Sequence, residues 1–145
     1  MENENLDPSV SQITKIAQGL GITIVELFQE DSDGDVVMRA HKRPRASFPR
    51  SKLAIEILVP STPEQQLDAR LALVSPGGGS EGDYHHEGVE FGLLLKGTLE
   101  LTVEGATYVL NKGDSFYFQS TKLHRFSNPG KEECHIIWVN YPPSW

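Results

Sequence analysis

Gly78-Gly79-Ser80-Glu81-Gly82-Asp83-Tyr84-His85-His86-Glu87-Gly88-Val89-Glu90-Phe91-Gly92-Leu93-Leu94-Leu95-Lys96-Gly97 is the stretch that decides the fold. A glycine-rich turn leads into a polar segment and then into an apolar run closed by another glycine. His86 and Glu90 are four residues apart, and even spacing within or beside a strand places side chains on one face. Tyr84 shares their parity. His124 follows later in Gly113-Asp114…His124…Asn128. Two imidazoles and a carboxylate converging in the mouth of a β-barrel can hold a divalent first-row metal with open positions. The same residues also fit a hydrogen-bonded polar cluster without metal.

Around this stretch the apolar pattern has the short period of strands. Segments rich in Val, Ile, Leu, Phe and Tyr lie at 36–40, 52–58, 67–74, 90–95, 98–103, 106–110, 115–119, 123–127 and 134–140, separated by Gly, Pro, Asn and Ser. Even spacing of short strands is the mark of a sandwich or barrel. Val103-Glu104-Gly105-Ala106 and Leu110-Asn111-Lys112-Gly113-Asp114 read as hairpin turns, with Asp114 as a turn cap. Gly97 and Gly113 read as turn glycines.

The first thirty residues are different. Val10, Ile13, Ile16, Ala17 and Leu20 recur at helical spacing, and Ser9 with Gln12 forms a capping box after Pro8. Gly21 ends this helix, and Thr23 with Glu26 opens a second short one through Ile24, Leu27 and Phe28. Two helices this short need partners for their apolar faces. Residues 31–35 read as a linker.

Composition sets the outer limits. The chain has 145 residues and a formal net charge of −7, which argues against bulk electrostatic binding of nucleic acid or of an anionic membrane. The one concentration of positive charge is Arg39, Lys42, Arg43, Arg45, Arg50 and Lys52. It reads as a solvated edge strand and linker, or as phosphate contacts beside a DNA-binding domain; Pro44 and Pro49 suit an edge. A single cysteine, Cys134, excludes an intrachain disulfide and reads as a small buried apolar residue. No apolar run approaches the ~20 residues of a membrane span, and no signal peptide follows Met1. A cytoplasmic location is expected, with no membrane partner.

These motifs carry a family resemblance. Gly78-x5-Tyr84-x-His86-x3-Glu90-x6-Gly97 resembles the first cupin motif, and Gly113-Asp114-x9-His124-x3-Asn128 the second. The resemblance implies a mainly β cupin double-stranded β-helix, a jelly-roll barrel, preceded by two short helices. It also implies a metal held by His86, Glu90 and His124, with Zn, Fe, Ni or Mn as candidates. The sequence departs from the family at Tyr84, which stands where the first histidine of the motif would be. His85 lies one place off register and points the other way in an unbroken strand, unless a bulge re-aims it. Tyr84, Leu94, Phe118, Phe126 and Trp138 are the candidate ligand-binding residues around the centre.

The front of the chain, Asp7-Pro8-Ser9-Val10 through Ile13, Lys15-Ile16-Ala17, Leu20-Gly21-Ile22 and Glu26-Leu27-Phe28, is similar to the end of a lambda-repressor-like (XRE) helix-turn-helix domain. That domain followed by a cupin is an arrangement of bacterial transcriptional regulators. The expected organisation is a helix-turn-helix remnant over 1–30, a linker over 31–35 and a sensor cupin over 36–145. Only seven residues precede Pro8, so the recognition helix that enters the major groove is expected to be missing, and DNA is a partner only if one lies upstream. The expected function is small-molecule sensing in a regulator, not catalysis. A metal-dependent cupin enzyme (dioxygenase, isomerase or epoxidase) and a metal-free binding module are the alternatives. A homodimer is expected, because open sheets with edge strands pair or cover them.

Overall fold

The structure, a computed structural model, describes residues 9–20, 36–60, 62 and 64–143. It contains helix α1 (Val10–Leu20), a 3₁₀ turn (Ala40–Lys42) and nine strands: β1 (Arg45–Phe48), β2 (Leu53–Ile57), β3 (Asp68–Val74), β4 (Val89–Lys96), β5 (Thr98–Val103), β6 (Ala106–Asn111), β7 (Ser115–Gln119), β8 (His124–Ser127) and β9 (Cys134–Tyr141). All strand pairs are antiparallel. Six form one sheet in the order β1-β2-β3-β9-β4-β7, and three form a second in the order β6-β5-β8. The expected mainly β jelly roll is present.

Alternation builds the barrel. Along β3 and β9 every second residue is buried, as expected for strands with one face on a core. Val74, Leu94, Leu99, Leu101, Phe126, Cys134, Ile136 and Trp138 meet between the two sheets. Each large apolar side chain so buried contributes about 1.5–3 kcal/mol. Cys134 is among them, and burial, reinforced by the Glu133 charge, pushes its thiol up to about 12.

The expected strand at 36–40 is not formed. Val36 and Val37 are exposed, and the chain reaches a 3₁₀ turn at Ala40–Lys42. The first strand is Arg45–Phe48, framed by Pro44 and Pro49 and paired with β2 at the sheet edge. Three of the six basic residues are held by acids there: Arg43 and Arg45 by Glu56 at 3.2 and 2.8 Å, and Arg50 by Glu81 at 3.0 Å.

The capping box is reciprocal: Gln12 N–H donates to Ser9 Oγ (3.3 Å), and Ser9 N–H donates to Gln12 Oε1 (3.0 Å). Among the described side chains of α1, Val10, Ser11 and Thr14 are buried, whereas Ile16 is exposed and so does not share the expected stripe. The expected ending of α1 at Gly21, the second helix and the linker at 31–35 lie outside the described residues. Val10 N–H donates to Ser51 Oγ at 3.2 Å, docking the start of α1 on the β1–β2 turn.

Glu104 and Gly105 both have positive φ, 48° and 83°, the geometry of a tight I′ hairpin turn. Asp114 caps its turn by accepting the Asn111 N–H at 2.8 Å. Gly88, with φ +103°, is held more tightly: a Cβ there would lie 2.4 Å from the Tyr141 carbonyl oxygen. Replacing Gly88 with Ala is therefore expected to lower unfolding stability by more than about 2 kcal/mol, because clash and backbone strain combine. At Gly105 nothing lies within 4 Å of the added carbon, so Gly105→Ala is expected to cost only the left-handed penalty of about 1–2 kcal/mol. Urea unfolding of both variants checks the order.

Candidate metal centre

Glu90 projects inward from β4 of the six-stranded sheet. The histidines come from the opposite wall. Tyr84 and His124 exchange backbone N–H···O bonds of 3.0 Å each, and His86 N–H donates to Ser120 O at 3.0 Å, so residues 84–86 run beside β8. Between His86 and Glu90 the chain crosses from one wall to the other at Gly88. The two residues therefore do not share a strand face, as their even spacing suggested; they face each other through the barrel interior. Exposure alternates through Tyr84 (buried), His85 (exposed) and His86 (buried). No bulge re-aims His85.

His86, Glu90 and His124 bring one ligand atom each within 4.8 Å of the others. His86 Nε2 lies 2.7 Å from Glu90 Oε2, and His124 Nε2 lies 3.1 Å from the same oxygen. All three side chains are buried. The opposite ring nitrogens are anchored: His86 Nδ1 is 3.1 Å from Glu87 O and His124 Nδ1 is 2.7 Å from Lys122 O. A carbonyl only accepts, so each Nδ1–H donates and each Nε2 is directed at Glu90. A neutral Nε2 and a carboxylate oxygen are both acceptors. Their contact is favourable only with positive charge between or on them, a proton on Nε2 or a metal ion. Two imidazole nitrogens and one carboxylate oxygen suit Zn, Fe, Ni or Mn, and the residues present fit such an ion.

Trp138 fixes the carboxylate. Its Nε1–H donates to Glu90 Oε1 at 2.6 Å, leaving Oε2 to the histidines. Burial on its own raises the Glu90 pKa, but the hydrogen bonds and charges of His124 and His86 outweigh it and bring the group down to about 2. Tyr84 fills the place of a fourth ligand with a neutral phenol. Burial first, then the Glu90 charge, push its pKa well above the usual 10, and Arg70 offsets only part of this. Its ring centroid is 4.4 Å from that of His124.

The remaining candidate ligand residues separate. Leu94, Phe126 and Trp138 belong to the core, with Phe126 and Trp138 rings 4.9 Å apart. Phe118 packs on the His124 ring at 4.8 Å and also lines an outer cleft. Sequence reading missed three features. Trp138 reads in the sequence as a candidate ligand-binding residue, not as the donor to Glu90. The inward row of Asp68, Asn140, Glu90 and Phe118, in register across β3, β9, β4 and β7, passed unnoticed, as did the buried ion pair of Arg70 with Asp68. A charged residue at 68 and another at 70, on the buried parity of β3, were the available signal.

Comparison with known proteins agrees with this geometry. A family described as "Cupin domain" matches residues 70–140. The HTH-type transcriptional regulator PuuR of Escherichia coli K12 is 24% identical over 148 aligned residues, spanning 100% of this chain and 79% of that protein. A solved HTH_3 family transcriptional regulator from Vibrio cholerae superposes with a TM-score of 0.68 at 17% identity, over 97% of this chain and 76% of that one. The fold is also used by enzymes: a solved oxalate oxidase superposes with a TM-score of 0.56 at 21% identity, over 64% of this chain and 52% of that one. No helix among the described residues is long and apolar enough to cross a membrane.

Two outcomes follow. Trp138→Phe keeps the ring but removes the donor to Glu90, and metal affinity is expected to weaken about 10- to 100-fold, read by zinc competition against a chromophoric chelator. Metal binding also displaces protons from the imidazoles. Its dissociation constant should therefore weaken as pH falls; a pH-independent constant contradicts the ligand set.

Proposed function

The chain belongs to the cupin family through residues 70–140 and has helix-turn-helix transcriptional regulators as homologues, and on that premise we propose that it is the small-molecule-sensing part of a bacterial transcriptional regulator. Residues 1–30 are then the end of a helix-turn-helix domain, 31–35 a linker and 36–145 the sensor. DNA contact belongs to a helix-turn-helix segment and not to the barrel, where Arg43, Arg45 and Arg50 are already engaged by Glu56 and Glu81. A divalent metal on His86, Glu90 and His124 supplies a Lewis-acidic point at which an effector can be held.

One observation carries the reading. The turn that receives α1 is tied to the strand that bears His124. Ser51 accepts the Val10 N–H through Oγ, and its carbonyl accepts the Gly79 N–H at 2.9 Å. Ser80 then donates to Phe126 O at 3.0 Å through its backbone, and its Oγ accepts the Phe126 N–H at 3.2 Å. A shift of β8 on effector binding thus has a packed route to the helical arm. Regulation still requires that the effector bind two arrangements with different affinity.

A ligand screen by melting temperature on metal-loaded protein tests this, since a ligand of the folded state stabilises it by mass action. The expected hit raises the melting temperature, slows amide exchange in α1, and does neither in His124→Ala. A hit that is consumed and released as product identifies an enzyme instead.

The homodimer has a candidate surface. The outward residues of β3, β9, β4 and β7 include Leu71, Ile137, Leu93, Val139, Phe91 and Tyr117, neighbours in register. Phe91 and Tyr117 are 43% and 67% exposed. No Asp, Glu, Lys or Arg projects from this face between Ala69 and Leu73, Val89 and Leu95, Ser115 and Gln119, or His135 and Tyr141. A charged partner would lose solvation there without compensation, whereas a second copy presents the same uncharged face across a two-fold axis. Sedimentation of the wild type is expected to give a dimer, and Phe91→Lys with Tyr117→Lys a folded monomer. A wild-type monomer at about 100 μM, far above the concentrations at which a standard-size interface holds, contradicts the assignment.

A further inference from the structure

We propose that the cleft between the edge strands β6 and β7 binds a small aromatic carboxylate, and that Phe118 transmits its occupancy to the metal centre. The proposal rests on the effector-sensing reading of the barrel and adds a second ligand place, beside the metal centre and not on it, with a chemical class of its own.

The cleft exists because the two sheets do not close on each other here. β6 ends the three-stranded sheet and β7 ends the six-stranded one. Tyr108 pairs with Leu101 and so faces inward with it, yet Leu101 is 2% exposed and Tyr108 56%. An inward-facing tyrosine left half in solvent marks an opening in the wall. The opening has a volume of about 480 Å³, within the ~300–1,000 Å³ of small-molecule sites. Leu101, Leu110, Phe116 and Phe118 line its apolar side and Tyr108 one wall. Phe116 and Phe118 are stacked, with centroids 5.9 Å apart. Such a surface suits a flat apolar ring, which aromatic side chains receive by offset or edge contact.

Charge selects the polar end. One carboxylate and one ammonium reach the cleft from opposite ends of β7, those of Asp114 and Lys122. Asp114 is occupied as the turn cap, accepting the Asn111 N–H. Lys122 makes no ion pair among the described residues. An ammonium at the end of an aromatic cleft favours a ligand with one carboxylate at that end.

Both ends of such a ligand touch supports of His124. The ring meets Phe118, whose own ring lies 4.8 Å from the His124 ring in an edge-on arrangement. The carboxylate meets Lys122, whose carbonyl holds His124 Nδ1 at 2.7 Å. Occupancy of the cleft therefore changes the setting of a metal ligand, and by reciprocity the metal changes affinity at the cleft.

The probe is 2-naphthoate, compared with 2-naphthylmethylamine and 2-naphthalenemethanol by calorimetric titration of the full chain with and without zinc. Naphthoate is expected to bind with a dissociation constant below about 1 mM, at least tenfold tighter than the amine. Lys122→Glu is expected to reverse that preference, and Tyr108→Ala, at an exposed side chain, to weaken naphthoate at least tenfold. Zinc is expected to shift naphthoate affinity in the wild type and to leave it unmoved in His124→Ala. No naphthoate binding, equal affinity for acid and amine, or an unchanged constant in Lys122→Glu overturns the proposal. So does an oligomer that Tyr108→Ala dissociates, which would mark the cleft as filled by a second copy. Because the titration is also run without zinc, failure of the metal site leaves the cleft result readable, and an inert cleft leaves the metal site untouched.

Discussion

Glu90 is a carboxylate with no solvent contact, and the centre of the barrel is organised around satisfying it. An isolated buried charge is costly enough that proteins pair it, hydrogen-bond it or neutralise it. Here one oxygen takes the Trp138 indole N–H, and the other meets two imidazoles fixed by the backbone carbonyls of Glu87 and Lys122. The residues come from both sheets: Glu90 and Trp138 from one wall, His86 and His124 from the other. The charge thus makes the closed sandwich and the site interdependent, because separating the sheets strands the carboxylate. It also explains why a cation suits the place. Three acceptor-capable atoms converge where water does not reach, and a bound cation would compensate them.

Much of this was legible in the sequence. The candidate cluster of His86, Glu90 and His124, the strands from 52 onward, the hairpin turn at Glu104-Gly105, the Ser9/Gln12 capping box and the turn cap at Asp114 all depend on local chemistry: fixed spacing, alternation, positive φ and short-range hydrogen bonds. What failed depended on partners distant in the chain. Val36 and Val37 have the composition of a strand, but none of the described residues pairs with them, whereas Arg45–Phe48 finds β2 despite its charge. His86 and Glu90 share parity, yet Gly88 turns the chain between walls, so parity picked two residues that do meet but implied the wrong geometry. The donor role of Trp138 was illegible because an indole on the apolar parity of β9 reads as core. Only the β4–β9 pairing puts Trp138 one inward position from Asn140, the register partner of Glu90.

The helical front and the barrel meet at Ser51, which accepts from α1 with its side chain and from Gly79 with its carbonyl. Gly79 approaches β8 so closely that a Cβ would lie 2.2 Å from the Phe126 carbonyl oxygen. Close-packed contacts of this kind transmit displacement instead of absorbing it. This gives the homology with helix-turn-helix regulators a physical counterpart. The part of the fold that could hold an effector and the part that leads toward the helical segment share one turn.

The measurement closest to the central claim is the metal stoichiometry of tag-free protein after equilibration with zinc and gel filtration, determined by elemental mass spectrometry. One zinc per chain in the wild type, reduced to background in His86→Ala and His124→Ala with the fold intact by circular dichroism, is the predicted result. A wild type that retains no metal, or variants that retain as much as the wild type, would contradict a His86–Glu90–His124 metal centre.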